Sequence, residues 1–278
     1  MSGSVDLHTH TTASDGVLSP EALVEKAAEK GLAAIAVSDH DAVEGVAPAQ
    51  ARAAGLGVEV VPAVELTAYE GESELHVLGY FIDAVAGGAV ARALAEFRRV
   101  RRERVERICK VLAGLGAPLE PDAVYAIAGA GAVGRPHVAR ALLEAGHVSS
   151  LKEAFDRFLA DDRPACLPKM QIAPARAIEV IHEAGGLAVW AHPGMVGRDE
   201  LVPALVRDGL DGLEAWHTHH SGAASERYLE LARRHGLVVS GGSDFHGFVK
   251  EGAELGRPEV GVEVLEALRE AHRARVGA

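Results

Sequence analysis

Cysteine is almost missing from this sequence: Cys109 and Cys166 are the only two, far apart and outside any C-x-x-C pair. That excludes a disulfide framework and a thiolate zinc site as the basis of the fold. Aromatic residues make up 4% of the chain, too few to place a platform on which nucleobases would stack. No stretch approaches the roughly 20 apolar residues needed to cross a bilayer. The opening MSGSVDLHTHTTASDG has neither a basic nor an apolar leader segment, so the expectation is a cytoplasmic chain with no membrane partner. Positive charge is also short: 28 basic residues face 40 acidic ones, a formal charge of −12. This is the wrong sign for a general affinity for duplex DNA.

What remains is an ordinary folded-enzyme composition, 48% apolar and 24% charged over 278 residues, enough for one large domain carrying an insertion. Short β-branched runs recur between amphipathic stretches: SVDLH, AAIAVSDHD, VEVVPAVEL, ELHVLGYF, GLAVWAHP, DGLEAWH and LVVSGGSDFH. The helices between them carry start and stop signals. In SPEALVEKAAEKG, Ser19 is placed to cap, Pro20 sits in the first turn and Gly31 follows the end. Alternating strands and helices imply a mainly parallel sheet. Seven strand candidates predict an α/β fold, a distorted (β/α)7 TIM-like barrel, with an open sheet as the alternative. From residue 88 to 172 the strand rhythm stops and the pattern is helical. The expected organisation is a barrel of residues 1–87 and 173–278 with a helical insertion at 88–172 serving as a substrate lid. The tail VEVLEALREAHRARVGA, residues 262–278, reads as a closing surface helix.

Histidines and acids gather at the ends of these strands. His8 and His10 follow the first, Asp39, His40 and Asp41 the second, Glu65 ends the third, His76 lies in or before the fourth, His192 follows the fifth, and Asp244 and His246 the seventh. In parallel β/α architectures these ends converge on one rim, where active sites form. A lone H-x-H is more often two packed or surface residues than a ligand pair. The ensemble is different, because so many ionisable groups in one place are costly without a cation. Residues at i and i+2 of a strand share a face, so His8 with His10, and Asp244 with His246, would each form a two-pronged clamp. Imidazole with carboxylate suits zinc, manganese or iron better than magnesium or calcium.

Together, D-L-H-T-H, S-D-G, S-D-H-D, Glu65, H-V-L-G, A-H-P and G-S-D-F-H resemble the polymerase and histidinol phosphatase (PHP) family from end to end. The resemblance implies a phosphoesterase with two or three divalent ions (Mn, Zn or Fe). One would be held by His8, His10, Glu65 and Asp244, a second by Glu65, His76 and His192, and a third by Asp15, His40 and His246. V-G-R-P-H-V-A-R-A-L is similar to the substrate-binding segment of the family's nucleoside 3′,5′-bisphosphate phosphatase and 5′-3′ exoribonuclease subgroup. By that resemblance Arg135 and His137 clamp an anion, which suits a guanidinium, and His220 contacts phosphate. The expected partner is a small phosphorylated substrate, a nucleotide or a short RNA 5′ end. His217 and His219 depart from the subgroup's pattern. Rival readings are a metabolite phosphatase such as one for histidinol phosphate, and a metal-bound accessory module without turnover.

Other features take plainer readings. Arg98, Arg99, Arg101, Arg102, Arg104 and Arg107 are interrupted by Glu103 and Glu106 and read as a solvated helix face. Gly129 to Gly134 follows no strand, which makes it a poor dinucleotide fingerprint. His147, His182, His235 and His272 read as ordinary surface or capping residues, and the two cysteines as idle thiols.

Overall fold

A computed structural model describes residues 3–84, 87–128, 133–167, 172–247 and 253–277; part of the Gly129 to Gly134 segment lies outside these. The chain divides into two compact units, Met1–Ala93 with Ile172–Ala278, and Leu94–Gln171.

Among the described residues, the first unit is built on eight strands: β1 (Ser4–Thr9), β2 (Ala34–Val37), β3 (Glu59–Glu70), β4 (Ser73–Tyr80), β5 (Leu187–Trp190), β6 (Gly212–His217), β7 (Val238–Gly242) and β8 (Val260–Gly261). They lie in the order β7-β6-β5-β4-β3-β2-β1-β8. The strip closes on itself where the end of β1 meets the chain leaving β7. The Asp244 N–H donates to the His8 carbonyl at 2.9 Å and the His10 N–H to the Phe245 carbonyl at 3.0 Å. The result is a mixed α/β, nearly closed barrel, with two departures from the expected (β/α)7 pattern. An eighth, two-residue strand pairs antiparallel with β1, and β4 runs antiparallel to both β3 and β5. Only Gly71 and Glu72 separate β3 from β4, and a two-residue link joins only antiparallel strands.

The strands are buried on both faces, and their alternation sorts two cores. On β2, Ala34 and Ala36 pack with Val61, Ala63, Leu78 and Tyr80. Ile35 and Val37 pack instead with Leu23, Val24 and Ala27 of the helix Pro20–Glu29. That helix begins as expected: the Ser19 hydroxyl accepts from the Ala22 N–H, and Pro20 opens the first turn. The final helix, Val262–Val276, contributes Val264, Leu265 and Leu268 to the first core.

The second unit has its own core, in which Ile108, Leu112, Val124, Val138, Leu142 and Leu159 are buried. It carries most of the 26-residue helix Ala89–Gly114 and the helices Pro121–Ala128 and Arg135–Glu144. Arg99 is exposed and paired with Glu96 and Glu103, as a solvated face requires. Arg104 is an exception: it is buried and its guanidinium donates to the Leu167 carbonyl. Among the described residues, no helix is long and apolar enough to cross a membrane.

Candidate metal centre

The inward parity that packs the barrel supplies part of the site. Val61 and Ala63 on β3, Leu78 and Tyr80 on β4, and Ala34 and Ala36 on β2 belong to one core. The same alternation places Glu65 and His40 farther along β3 and just past β2, and His76 earlier on the antiparallel β4, which brings all three toward the same end. Glu65 stands in the middle of the twelve-residue β3, not at its end as expected, because the strand continues into the hairpin with β4. On β1 the register shifts between Asp6 and Thr9. Such an irregularity re-aims side chains, and His8 and His10 turn into the site while Leu7 stays in the core.

Glu65 is fully buried and central. Its Oε2 lies 3.2 Å from His8 Nε2, 3.3 Å from His10 Nε2 and 3.1 Å from His40 Nδ1. Its Oε1 lies 2.9 Å from His76 Nδ1 and 3.1 Å from His192 Nε2. Asp244 Oδ1 adds contacts of 3.3 Å to His8 Nε2 and 3.0 Å to His10 Nε2. Beside them, His246 Nε2 is 3.3 Å from Asp15 Oδ1. The His246 Nδ1–H donates to the Asp244 carbonyl at 2.8 Å, so Nε2 is the ring nitrogen left to take a proton or a cation beside Asp15. The potential ligand atoms of His8, His10, Glu65 and Asp244 all lie within 4.8 Å of one another, as do those of His10, Asp15, His40 and His246, and of His40, Glu65 and His76.

Asp244 and His246 reach the site differently from the expected strand clamp. β7 ends at Gly242, and Asp244 has φ 57° in the left-handed region. His192 (φ 30°) and Asp41 (φ 47°) share that conformation. For residues other than glycine it is unfavourable, and such strain collects at functional sites.

Electrostatics make the cluster a receptor for cations. Burial alone would push Glu65 up, but His40, His8 and His76 outweigh it and hold its carboxyl well below the usual range. Burial opposes charge on His8, yet Glu214, Glu65 and Asp244 raise it well above an ordinary histidine. Against the same burial, Asp244 and Glu65 bring His10 to about 9, and Glu65 brings His76 to about 10. Burial dominates at His40, which falls to about 4 and is neutral at physiological pH. His10 Nε2, His76 Nδ1 and Asp244 Oδ1 are buried within 3.0 Å of an opposite partner, but no aligned hydrogen bond satisfies them. Donors that converge without bonding to each other fit a divalent ion between them.

Several buried polar residues serve this cluster from behind, and sequence reasoning did not single out two of them, Asp6 and Glu214. Asp39, placed at the rim by its position, is not turned toward a ligand position. Its Oδ1 accepts from the Thr11 N–H and the Ser14 hydroxyl, both at 2.7 Å, and its Oδ2 from the Thr11 hydroxyl at 2.8 Å, which shapes the loop carrying Asp15. Asp6 holds Ser243 through backbone and hydroxyl. Glu214 on β6 is wholly buried against His8 and the His192 backbone. His217 Nε2 lies 3.4 Å from Asp244 Oδ2. An acid inside the apolar run DGLEAWH was the available signal, since a buried carboxylate demands partners.

The expected anion-binding residues are placed as follows. Arg135 and His137 stand in the first turn of the helix Arg135–Glu144 of the second unit. Arg135 Nη1 donates to Asp161 Oδ1 at 2.6 Å and to the Leu159 carbonyl at 3.0 Å. His137 Nδ1 accepts from the Gly134 N–H at 3.1 Å, which puts the ring proton of the neutral form on Nε2. In the first unit, His220 Nδ1–H donates to the Ala215 carbonyl at 3.0 Å, and its Nε2 accepts from the Gly194 N–H at 3.1 Å. Both of its ring nitrogens are thus engaged within the protein.

The PHP domain family model matches residues 6–157. The Escherichia coli (strain K12) 5'-3' exoribonuclease Rnm is 36% identical over 87% of this chain and 84% of its own length. The 3',5'-nucleoside bisphosphate phosphatase of Chromobacterium violaceum is 33% identical over 92% of both chains. The phosphoribosyl 1,2-cyclic phosphate 1,2-diphosphodiesterase of Eggerthella lenta is 34% identical over 93% of this chain and 98% of its own. A Bifidobacterium adolescentis protein assigned as a metal-dependent phosphoesterase superposes with a TM-score of 0.72 at 31% identity, covering 99% of this chain and 98% of that one. With the buried carboxylate and imidazole cluster at its barrel rim, this chain belongs to the PHP domain family of metal-dependent phosphoesterases.

Proposed function

We propose that the chain hydrolyses nucleoside 3′,5′-bisphosphates and trims short RNA from its 5′ end. The observation that carries the catalytic part is Glu65, whose two oxygens face separate imidazole groups: His8, His10 and His40 on one side, His76 and His192 on the other. We assign His8, His10, Glu65 and Asp244 to one ion, Glu65, His76 and His192 to a second, and Asp15, His40 and His246 to a third. Manganese, iron and zinc suit this thiolate-free donor set. When bound, such ions supply Lewis acidity toward phosphoryl oxygens and a water of lowered pKa. Neutral His40 needs to lose no proton to serve as a ligand. Arg135 and the His137 Nε2–H are assigned to the substrate's anionic groups, contributing charge neutralisation and orientation. His220 is assigned to phosphate only on condition that Nε2 releases the Gly194 N–H and takes up a proton, so that it donates.

The Escherichia coli and Chromobacterium relatives support nucleotide and RNA-end substrates, while the Eggerthella relative favours a second reading, a cyclic phosphodiester. The test is product release by manganese-loaded protein from adenosine 3′,5′-bisphosphate, a short 5′-phosphorylated RNA, a ribose 1,2-cyclic phosphate and histidinol phosphate. Nucleotide turnover that vanishes in His8→Ala and falls at least tenfold in Arg135→Ala supports the proposal. Preference for the cyclic ester or for histidinol phosphate moves the substrate assignment, and no turnover with any metal leaves an accessory module.

A further inference from the structure

Behind the proposed ligands lies a carboxylate that the reaction itself does not use. Glu214 and His8 both have side-chain exposure of 0%, and Glu214 Oε1 lies 3.0 Å from His8 Nδ1. Its other oxygen, Oε2, accepts the His192 backbone N–H at 2.6 Å. His192 is the residue with φ 30°, so a strained backbone is fastened at the point where its ring reaches Glu65. The His8 and His192 rings lie nearly parallel, 5.7 Å apart.

We infer that Glu214 is a positioning residue that sets the His8 tautomer and anchors His192, and so prepares two of the proposed ion sites at once. The inference rests on the metal reading of the cluster. An ionised carboxylate only accepts hydrogen bonds, so Glu214 keeps a proton on His8 Nδ1 and leaves the Nε2 lone pair facing Glu65 and Asp244. Carboxylates placed behind histidine ligands fix ring orientation and raise ligand basicity in this way.

A rival role for Glu214, as a ligand in a separate cation site with His8 and His217, fits the hydrogen bonding poorly. Both Glu214 oxygens already accept from N–H groups. The His217 Nδ1 accepts the His219 N–H at 3.2 Å, and its Nε2 faces Asp244. His217 is thereby set to donate to Asp244 as Glu214 is set to accept from His8.

Glu214→Gln isolates the effect, because it keeps the shape but has one acceptor where two are needed. If its oxygen stays on the His192 N–H, its amide faces His8 Nδ1 and drives the ring proton onto Nε2. If the amide flips, two donors meet at the His192 backbone. Either arrangement spoils a ligand.

The experiment is zinc titration of the metal-depleted full chain by competition with a chromophoric chelator, for wild type and Glu214→Gln. It is paired with ¹⁵N-histidine NMR of the zinc-loaded wild type, the His8 signals being assigned by comparison with His8→Gln. The expected results are a protonated Nδ1 on His8 in the wild type and a loss of zinc affinity of about 10- to 100-fold in the variant. A variant affinity within twofold of wild type, or a wild-type His8 protonated on Nε2, overturns the inference. Should the variant not fold, the wild-type spectrum alone decides. A wild type that takes up no zinc overturns the metal reading and the inference with it, a result distinct from either of the others.

Discussion

At the scale of single residues, protons and cations compete for the same atoms. His10 and His76, with pKa values near 9 and 10, and His8, also raised, carry protons at neutral pH when no ion is present. Metal binding must displace them. Calorimetric titration with zinc at pH 7 in two buffers of different ionisation enthalpy is expected to show release of about two to three protons, with affinity rising up to pH 9–10. A heat that does not depend on buffer contradicts this. Asp39 tests the support behind the proposed ligands: Asp39→Ala leaves Thr11 and Ser14 without their acceptor and is expected to cost about 2–4 kcal/mol, measured by urea unfolding. Residues of this kind divide by how legible they were. His8, His10, His40 and Asp244 stand out because their types are costly to gather without a purpose. Glu214 and Asp6 are single acids within apolar strands, and only the register of β6 and β1 against their neighbours shows what they face.

At the scale of elements, the closure of β1 on the end of β7 leaves no room for added volume. A Cβ on Gly242 would stand 2.4 Å from the His8 nitrogen and 2.5 Å from its Cβ, and backbone cannot retreat as a side-chain tip can. Gly242→Ala is therefore expected to destabilise the protein by about 1–3 kcal/mol and to lower zinc stoichiometry, read by denaturant unfolding and elemental analysis. Full stability and full metal content would show that the seam yields more easily than the geometry implies. The glycine in LVVSGGSDFH gave no hint of this, since its neighbour comes from the other end of the chain. Helix starts such as Ser19–Pro20 were legible because a cap is local. The antiparallel β4 was less so: the two-residue link at Gly71 and Glu72 is visible in the sequence, but the expected end of β3 at Glu65 concealed it.

For the whole molecule, the cluster ties stability to both pH and metal. A histidine whose folded pKa lies above its ordinary 6.5 binds its proton more tightly in the native state. Its contribution is complete below about pH 6.5 and disappears as pH rises through 9–10. The metal-free protein is therefore expected to melt at progressively lower temperature from pH 7 to pH 10. Saturating zinc removes that trend and, at a hundred times its dissociation constant, adds about 2.7 kcal/mol. Differential scanning calorimetry with chelator or with zinc measures both, and a flat metal-free profile would show that the imidazoles carry no extra protons. Strand and helix periodicity, the caps and the clustering of histidines at strand ends were set by the sequence alone, because each depends on neighbours a few positions away. The tertiary structure decided that Glu65 faces five imidazoles, that Asp39 supports a loop without turning toward a ligand position, and that Glu214 sits behind His8. Those contacts join residues up to 206 positions apart, and only the register of the nearly closed sheet brings them within hydrogen-bonding reach.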